Sequence, residues 1–133
     1  MTVGSSQNRG ALDELYSLSA AQIELMPWEP VPGASGVHQK VLWHLGTFVQ
    51  ALVRYDEGAI GHGEPHLAAH HHLWVVSGAA TIAGRRLVAG SYVHVPPGVR
   101  HRVEDVGPEG CVVLQMHRPH APVEAERLAA SPD

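Results

Sequence analysis

The chain has 133 residues, with 9 Lys and Arg against 13 Asp and Glu and a formal net charge of −4. The acidic balance and the lack of a Lys/Arg-rich run exclude a nucleic-acid surface, and no run of about 18 apolar residues offers a membrane span. A single cysteine, Cys111, excludes an intrachain disulfide framework and suits a reducing, cytoplasmic setting. Residues 1–10 are polar and lack the apolar stretch of a secretory signal. Many punctuating residues, 14 Gly and 10 Pro, separate short apolar runs, a pattern expected of an all-β chain.

In chain order, residues 1–20 read as an N-terminal arm, 21–118 as one barrel domain and 119–133 as a C-terminal tail. A helical turn fits Ala11–Leu18; Ser19 and Gln22 have capping-box spacing, and Pro27 stops any helix soon after. The Pro/Gly cluster from Pro27 to Gly36 reads as extended chain. His38–Leu45 and Thr47–Tyr55 are β-rich runs broken at Gly46. Residues 56–65 read as a loop. His71–Ser77 is an apolar run ending at Gly78, and Ala79–Ala83 and Arg86–Val88 flank a hairpin signal at Gly84-Arg85. Tyr92–Val95 is a short strand closed by Pro96-Pro97-Gly98; His101–Val106 and Cys111–His117 complete the series. Seven or eight short strands without a long helix predict a sandwich or barrel. The runs around Val75 and Val113 are apolar on both faces, so something must cover an outer face. A homodimer is the expected solution, with the Trp28-bearing arm, Met26–Val37, crossing to the partner and Trp74 facing outward.

Seven of the 11 histidines, His62, His66, His70, His71, His72, His94 and His101, fall within forty residues. Two segments organise them. The first runs Gly58, Glu64, His66, His71, Gly78; the second runs Gly90, Pro96, Gly98, His101, Asp105. Glu64 and His66 are two apart, so on a strand they share a face. Of His70, His71 and His72, period-two alternation turns one parity inward, and a one-residue slip exchanges them. His101 follows a tight Pro-x-Gly turn. Imidazole with one carboxylate suits a single divalent transition ion, Fe, Mn, Ni, Co or Zn, and such a site can keep a position open for water or substrate.

These two segments resemble the signature motifs of the cupin superfamily, with the second matching at every marked position except that Asp105 stands where Asn is usual. In the first, Glu64 occupies the first His position and His71 the Glu position. The resemblance covers about Trp28 to His117, most specifically GSYVHVPPGVRH. It implies an all-β double-stranded β-helix, the jelly-roll or cupin barrel, with an extended N-terminal arm. It implies a metal site of Glu64, His66, His71 and His101, with Glu64 as the catalytic base and His62, His70 and His72 as alternative ligands. Tyr55, Tyr92, Arg100 and Gln115 are candidate pocket residues, and Arg102 also flanks His101. The function implied is a metal-dependent enzyme on a small organic molecule, dioxygenase-like, with isomerase or decarboxylase chemistry as variants. A non-catalytic metal or ligand sensor and a degenerate barrel without metal are the alternatives. The chain also resembles the cupin domains of zinc-dependent anti-sigma factors, without a helical sigma-binding segment.

Overall fold

The structure, a computed structural model, describes residues 14–61 and 69–119. A short helix, α1 (Ala20–Leu25), opens it. The Ser19 side chain accepts from the Gln22 N–H at 3.1 Å and the Gln22 side chain accepts from the Ser19 N–H at 2.8 Å. Two free N–H groups of the first turn are thereby satisfied, which is why a six-residue helix starts here. Residues 14–18, where a helical turn was expected, carry none; residues 11–13 lie outside the described residues.

Eight strands follow: β1 (Glu29–Pro30), β2 (Val37–Leu45), β3 (Phe48–Tyr55), β4 (Ala69–Ile82), β5 (Arg85–Val88), β6 (Tyr92–Val95), β7 (Val103–Glu104) and β8 (Cys111–Pro119). All pairings are antiparallel, in the order β1-β2-β3-β8-β4-β5, with β6 and β7 also pairing β4. β4 is the pivot. Its first half pairs β6 and β8; its second half pairs β5 and β7. This is the expected jelly-roll barrel.

β4 does not end at Gly78, as its apolar run suggested, because a bulge carries it onward. The register against β8 shifts between Val75 and Ser77. Leu73 and Val75 are buried before the bulge and Ala80 and Ile82 after it, so the buried parity changes from odd to even. The bulge absorbs one residue and bends the strand from one part of the barrel to the other. The hairpin after it turns on Ala83 and Gly84 rather than Gly84 and Arg85, since Ile82 pairs Arg85. Both turn residues have positive φ, 52° and 78°, the backbone of a two-residue turn that matches strand twist.

Leu73, Val75, Ile82, Cys111 and Val113 form the fully buried centre. Each such aliphatic side chain contributes about 1.5–3 kcal/mol by leaving water. The arm folds onto its own sheet instead of leaving it. Met26 is buried, Lys40 Nζ donates to the Ile23 carbonyl at 2.8 Å, and the Trp28 ring lies 4.7 Å from Lys40 Nζ and 4.8 Å from Arg54 Cζ. Trp28 therefore caps two cations on the outside of β2 and β3. The outside of β4 and β6 is left open. There His94 stacks between His70 and His72 at centroid distances of 5.2 and 4.7 Å. The Tyr92 hydroxyl lies 2.5 Å from His72 Nδ1, and Trp74 packs edge-on against Tyr92.

Gly78 has φ +75°, and a Cβ placed on it would meet the Gly110 carbonyl oxygen at 1.9 Å. Gly84 has φ +78° but nothing within 4 Å of such a Cβ. Gly84→Ala is expected to cost about 1 kcal/mol, from left-handed backbone alone. Gly78→Ala adds a backbone collision and is expected to cost at least about 2 kcal/mol more. Urea midpoints at unchanged slope measure both; equal losses would show that the two backbones are not in this close approach.

Burial holds the His72 pKa below its usual value, helped by the neighbouring His94 and Arg118. The unfolded chain then takes up this proton at a higher pH than the folded one, so stability is present above about pH 6.5 and falls as pH drops below it. Between about pH 7 and pH 5, the urea midpoint of His72→Gln should fall less steeply than that of the wild-type chain. Parallel slopes would clear His72 of the effect.

Candidate metal and ligand site

Strand alternation decides among the three consecutive histidines. His71 shares the inner face of β4 with Leu73 and Val75 and is 5% exposed. His70 and His72 face the other way, into the outer stack with His94. His101 reaches the same interior from the loop between β6 and β7. That loop is set by a turn in which the Val99 N–H donates to the Pro96 carbonyl at 3.3 Å, with Gly98 at φ +84°. Beyond it the Ala83 N–H donates to the Arg102 carbonyl at 3.0 Å, and the Gly61 N–H to the Val103 carbonyl at 2.8 Å. Alternation across this anchored stretch buries His101 (7% exposed) and Val103 and turns Arg100 and Arg102 outward. Asp105 has φ +49°, a conformation in which Asn and Asp are the best tolerated side chains after Gly. That explains why Asp stands where Asn would also serve.

The His71 and His101 rings lie 4.6 Å apart between centroids, tilted by 48°. Both line a cavity of about 290 Å³ with Tyr55, Gln39, Gln115, Val37, Val53 and Gly61. Burial, with a smaller effect of Cys111, pushes the Tyr55 pKa up to about 12, so its hydroxyl stays protonated. The Gln115 amide lies 3.3 Å from His71 Nδ1. The contacting atom is the amide nitrogen, Gln115 Nε2, which can only donate, so His71 Nδ1 accepts and the ring is steadied from the β8 side.

One residue of this interior escaped the sequence reading. His117 sits directly opposite His71 on β8, with the rings edge-on at 4.8 Å. Its Nδ1 lies 2.6 Å from the Thr47 carbonyl; a carbonyl only accepts, so this nitrogen carries the hydrogen. The signal was present as alternation: Cys111, Val113, Gln115 and His117 are two apart, and the first two are buried.

The sequence candidates therefore separate. His71, His101, Tyr55 and Gln115 meet at one cavity. Tyr92 and Arg100 do not line it, a correction to the expectation. Tyr92 lies outside because it shares the outward parity of β6 with His94, while Val95 points in. Arg100 is exposed because its neighbour His101 takes the inward position. His70 and His72, offered as alternative ligands, lie on the outer face. Glu64, His66 and His62 lie outside the described residues. Among the described residues, no group of three His, Cys, Asp or Glu side chains converges as a metal site. The two buried imidazoles are of a donor type that suits a borderline ion. A second recess, of about 480 Å³, lies outside the barrel by Tyr16, Leu42 and Trp43; Glu14 is its one ionisable carboxylate and it has no histidine.

The family model described as the ChrR cupin-like domain matches residues 17–121. No curated protein is similar enough to the chain to match it. Among solved structures, KdgF from Halomonas sp. is 24% identical with a TM-score of 0.62, covering 76% of this chain and 93% of that one. An RmlC-like cupin from Shewanella frigidimarina is 24% identical with a TM-score of 0.60, covering 85% and 96%. The polyketide cyclase RemF from Streptomyces resistomycificus is 16% identical with a TM-score of 0.63, covering 81% of each. At these identities the solved structures speak for the fold alone, whereas the family match spans most of the sequence: the chain belongs to the cupin superfamily, in the ChrR cupin-like domain family.

Proposed function

We propose that this cupin holds one divalent transition ion inside its barrel, through His71 and His101 with Glu64 and His66, and acts as a metal-dependent, dioxygenase-like enzyme on a small organic molecule. The observation that carries the reading is the pair of buried imidazoles, with ring centroids 4.6 Å apart, on the wall of one cavity. A buried histidine pair in an apolar wall is a poor core filler and a good chelating edge. Gly61 and His71 both line this cavity, and Glu64 and His66 lie in the sequence between them.

When bound, an ion of the Fe, Mn, Ni, Co or Zn group supplies Lewis acidity, or one-electron chemistry in the redox-active cases. The chain's own residues do the rest. Gln115 steadies the His71 ring through its amide nitrogen. Tyr55 offers a neutral hydroxyl to a ligand oxygen. Glu64 is assigned the role of base that takes a proton from the ligand. The apolar wall from Val37, Val53 and Val103 excludes water from the reacting face. A binding module without turnover is the second reading, favoured by one observation: among the described residues, the cavity wall carries no carboxylate to serve as a base. The lone buried thiol of Cys111 suits a cytoplasmic setting.

Metal analysis of purified, untagged protein tests the first reading. Near-stoichiometric metal is expected in the wild-type chain, with apparent affinity falling at least about tenfold in His71→Ala and His101→Ala and unchanged in His94→Ala. Metal should be lost below about pH 6, as free imidazole takes up protons. Equal losses in all three variants would move the site off the barrel interior.

The open outer face supports a homodimer. Trp74, Val76 and Tyr92 are about half exposed, at 50%, 51% and 50%, and an apolar patch of this kind marks an interface more often than free surface. Light scattering should give twice the 14.3 kDa chain mass, and Trp74→Arg should return it to the monomer value. A wild-type mass near one chain at all concentrations would remove the dimer.

A further inference from the structure

The outer face of β4 and β6 carries a row of imidazoles that the barrel interior does not use. His70 and His72 are two apart on β4 and share its outward side. His94 pairs in register with His72 from β6. His94 is exposed, and His70 and His72 are half-buried. The rings stack in nearly parallel planes, tilted by 14° at each contact. Their nitrogens are not equivalent. His72 Nδ1 is taken up by the Tyr92 hydroxyl. His70 Nδ1 and His94 Nε2, by contrast, lie 3.0 Å apart. One of these two nitrogens donates to the other, so at least one of the two rings accepts through a lone pair.

We propose that His70 and His94 form a second metal site, on the outer surface of the barrel, which chelates one divalent ion of the Ni²⁺ or Cu²⁺ type in two adjacent coordination positions. It is separate from the ion assigned to the interior and does not rest on it. The spacing selects the class of ion. Two nitrogens 3.0 Å apart, each about 2.1 Å from one ion, subtend about 90° at it. That is the angle between neighbouring positions of a square-planar or octahedral ion, the geometries of Cu²⁺ and Ni²⁺. A tetrahedral Zn²⁺ site at the same bond length needs its nitrogens about 3.4 Å apart. Imidazole is a donor that suits these ions. The hydrogen now held between the two rings moves to the far nitrogen of its own ring, so both lone pairs turn to the ion and no proton is lost. The two residues stand on paired strands, so their backbones are already fixed and only side-chain torsions adjust on binding. His72, stacked on His94, steadies that ring. Arg118 lies close enough to His72 to disfavour positive charge there, and water fills the remaining coordination positions. The outer ion is therefore held more weakly than one with four protein ligands, and it exchanges readily.

The test titrates NiCl₂ into the full-length, chelator-stripped chain at about pH 7.5, above the ordinary imidazole range. Calorimetry counts the equivalents bound per chain, so the count does not depend on oligomeric state. The wild-type chain is expected to bind one equivalent that His94→Gln and His70→Gln lose or hold at least about tenfold more weakly. His72→Gln should keep it. His94 is exposed, and an unchanged urea midpoint in His94→Gln would show that the fold is intact. In the wild-type chain paramagnetic Ni²⁺ should also broaden the NMR signals of the His94 and Tyr92 rings, and in His70→Gln these should stay sharp. Equal binding by the wild-type chain and His94→Gln, or a loss as complete in His72→Gln as in His94→Gln, would overturn the assignment. The interior ion is read separately, because His71→Ala and His101→Ala should lose a different equivalent and retain this one. Should they lose none while His94→Gln does, the interior reading fails and the outer site stands.

Discussion

Strand β4 hydrogen-bonds to β5, β6, β7 and β8, and its register against β8 is the constraint on which the interior depends. That register pairs His71 with His117, Leu73 with Gln115 and Val75 with Val113. It puts an imidazole row at one end of the barrel and a dry aliphatic centre next to it. A slip of one residue would bring His70, His72 and Trp74 inward and expel Leu73 and Val75, so the burial of those aliphatics and the aim of His71 are one choice. The bulge after Val75 then lets the same strand serve both halves of the barrel. Gly78 lies just past it, where the β8 backbone comes too close for any side chain.

Electrostatics follows from that arrangement. The inner parity of β4, β6 and β8 carries no formal charge in the described residues, and the cations are held outside by contacts of their own. Lys40 is the most deeply placed of them, yet it is buried under Trp28 on the outer surface rather than in the barrel. A guanidinium or ammonium held in this way, against an indole and a carbonyl, is not available to a ligand inside. Among the described residues, the polar groups on the cavity wall are therefore the Gln39 and Gln115 amides, the Tyr55 hydroxyl and the His71 and His101 imidazoles.

Much of the fold was legible because it is written in short-range terms. The break at Gly46, the strand at Tyr92–Val95 and the turn after Val95 depend on residues within a few positions of one another, and each matches the structure. The helix was legible in the same way. Ser19 and Gln22 announce it three residues apart, although the turn expected upstream of them does not form in the described residues. The run 71–77 misled at its far end, since Gly78 reads locally as a terminator. Only the approach of the Gly110 backbone shows that the glycine permits the strand to continue.

The sequence by itself determined the cupin barrel and the second motif, because proline, glycine and left-handed backbone requirements are local and chemically unambiguous. It also confined the inward choice among His70, His71 and His72 to one parity or the other. Tertiary structure decided which parity, by the far larger burial available to Leu73 and Val75. It alone decided that His117 meets His71, that Gln115 abuts His71 Nδ1, that Tyr92 and Arg100 turn away, and that Trp28 stays on its own sheet. The reason is distance along the chain. His71 and Gln115 are 44 residues apart, and no local propensity encodes a cross-strand register of that span; it is fixed only when the whole barrel closes around one buried set.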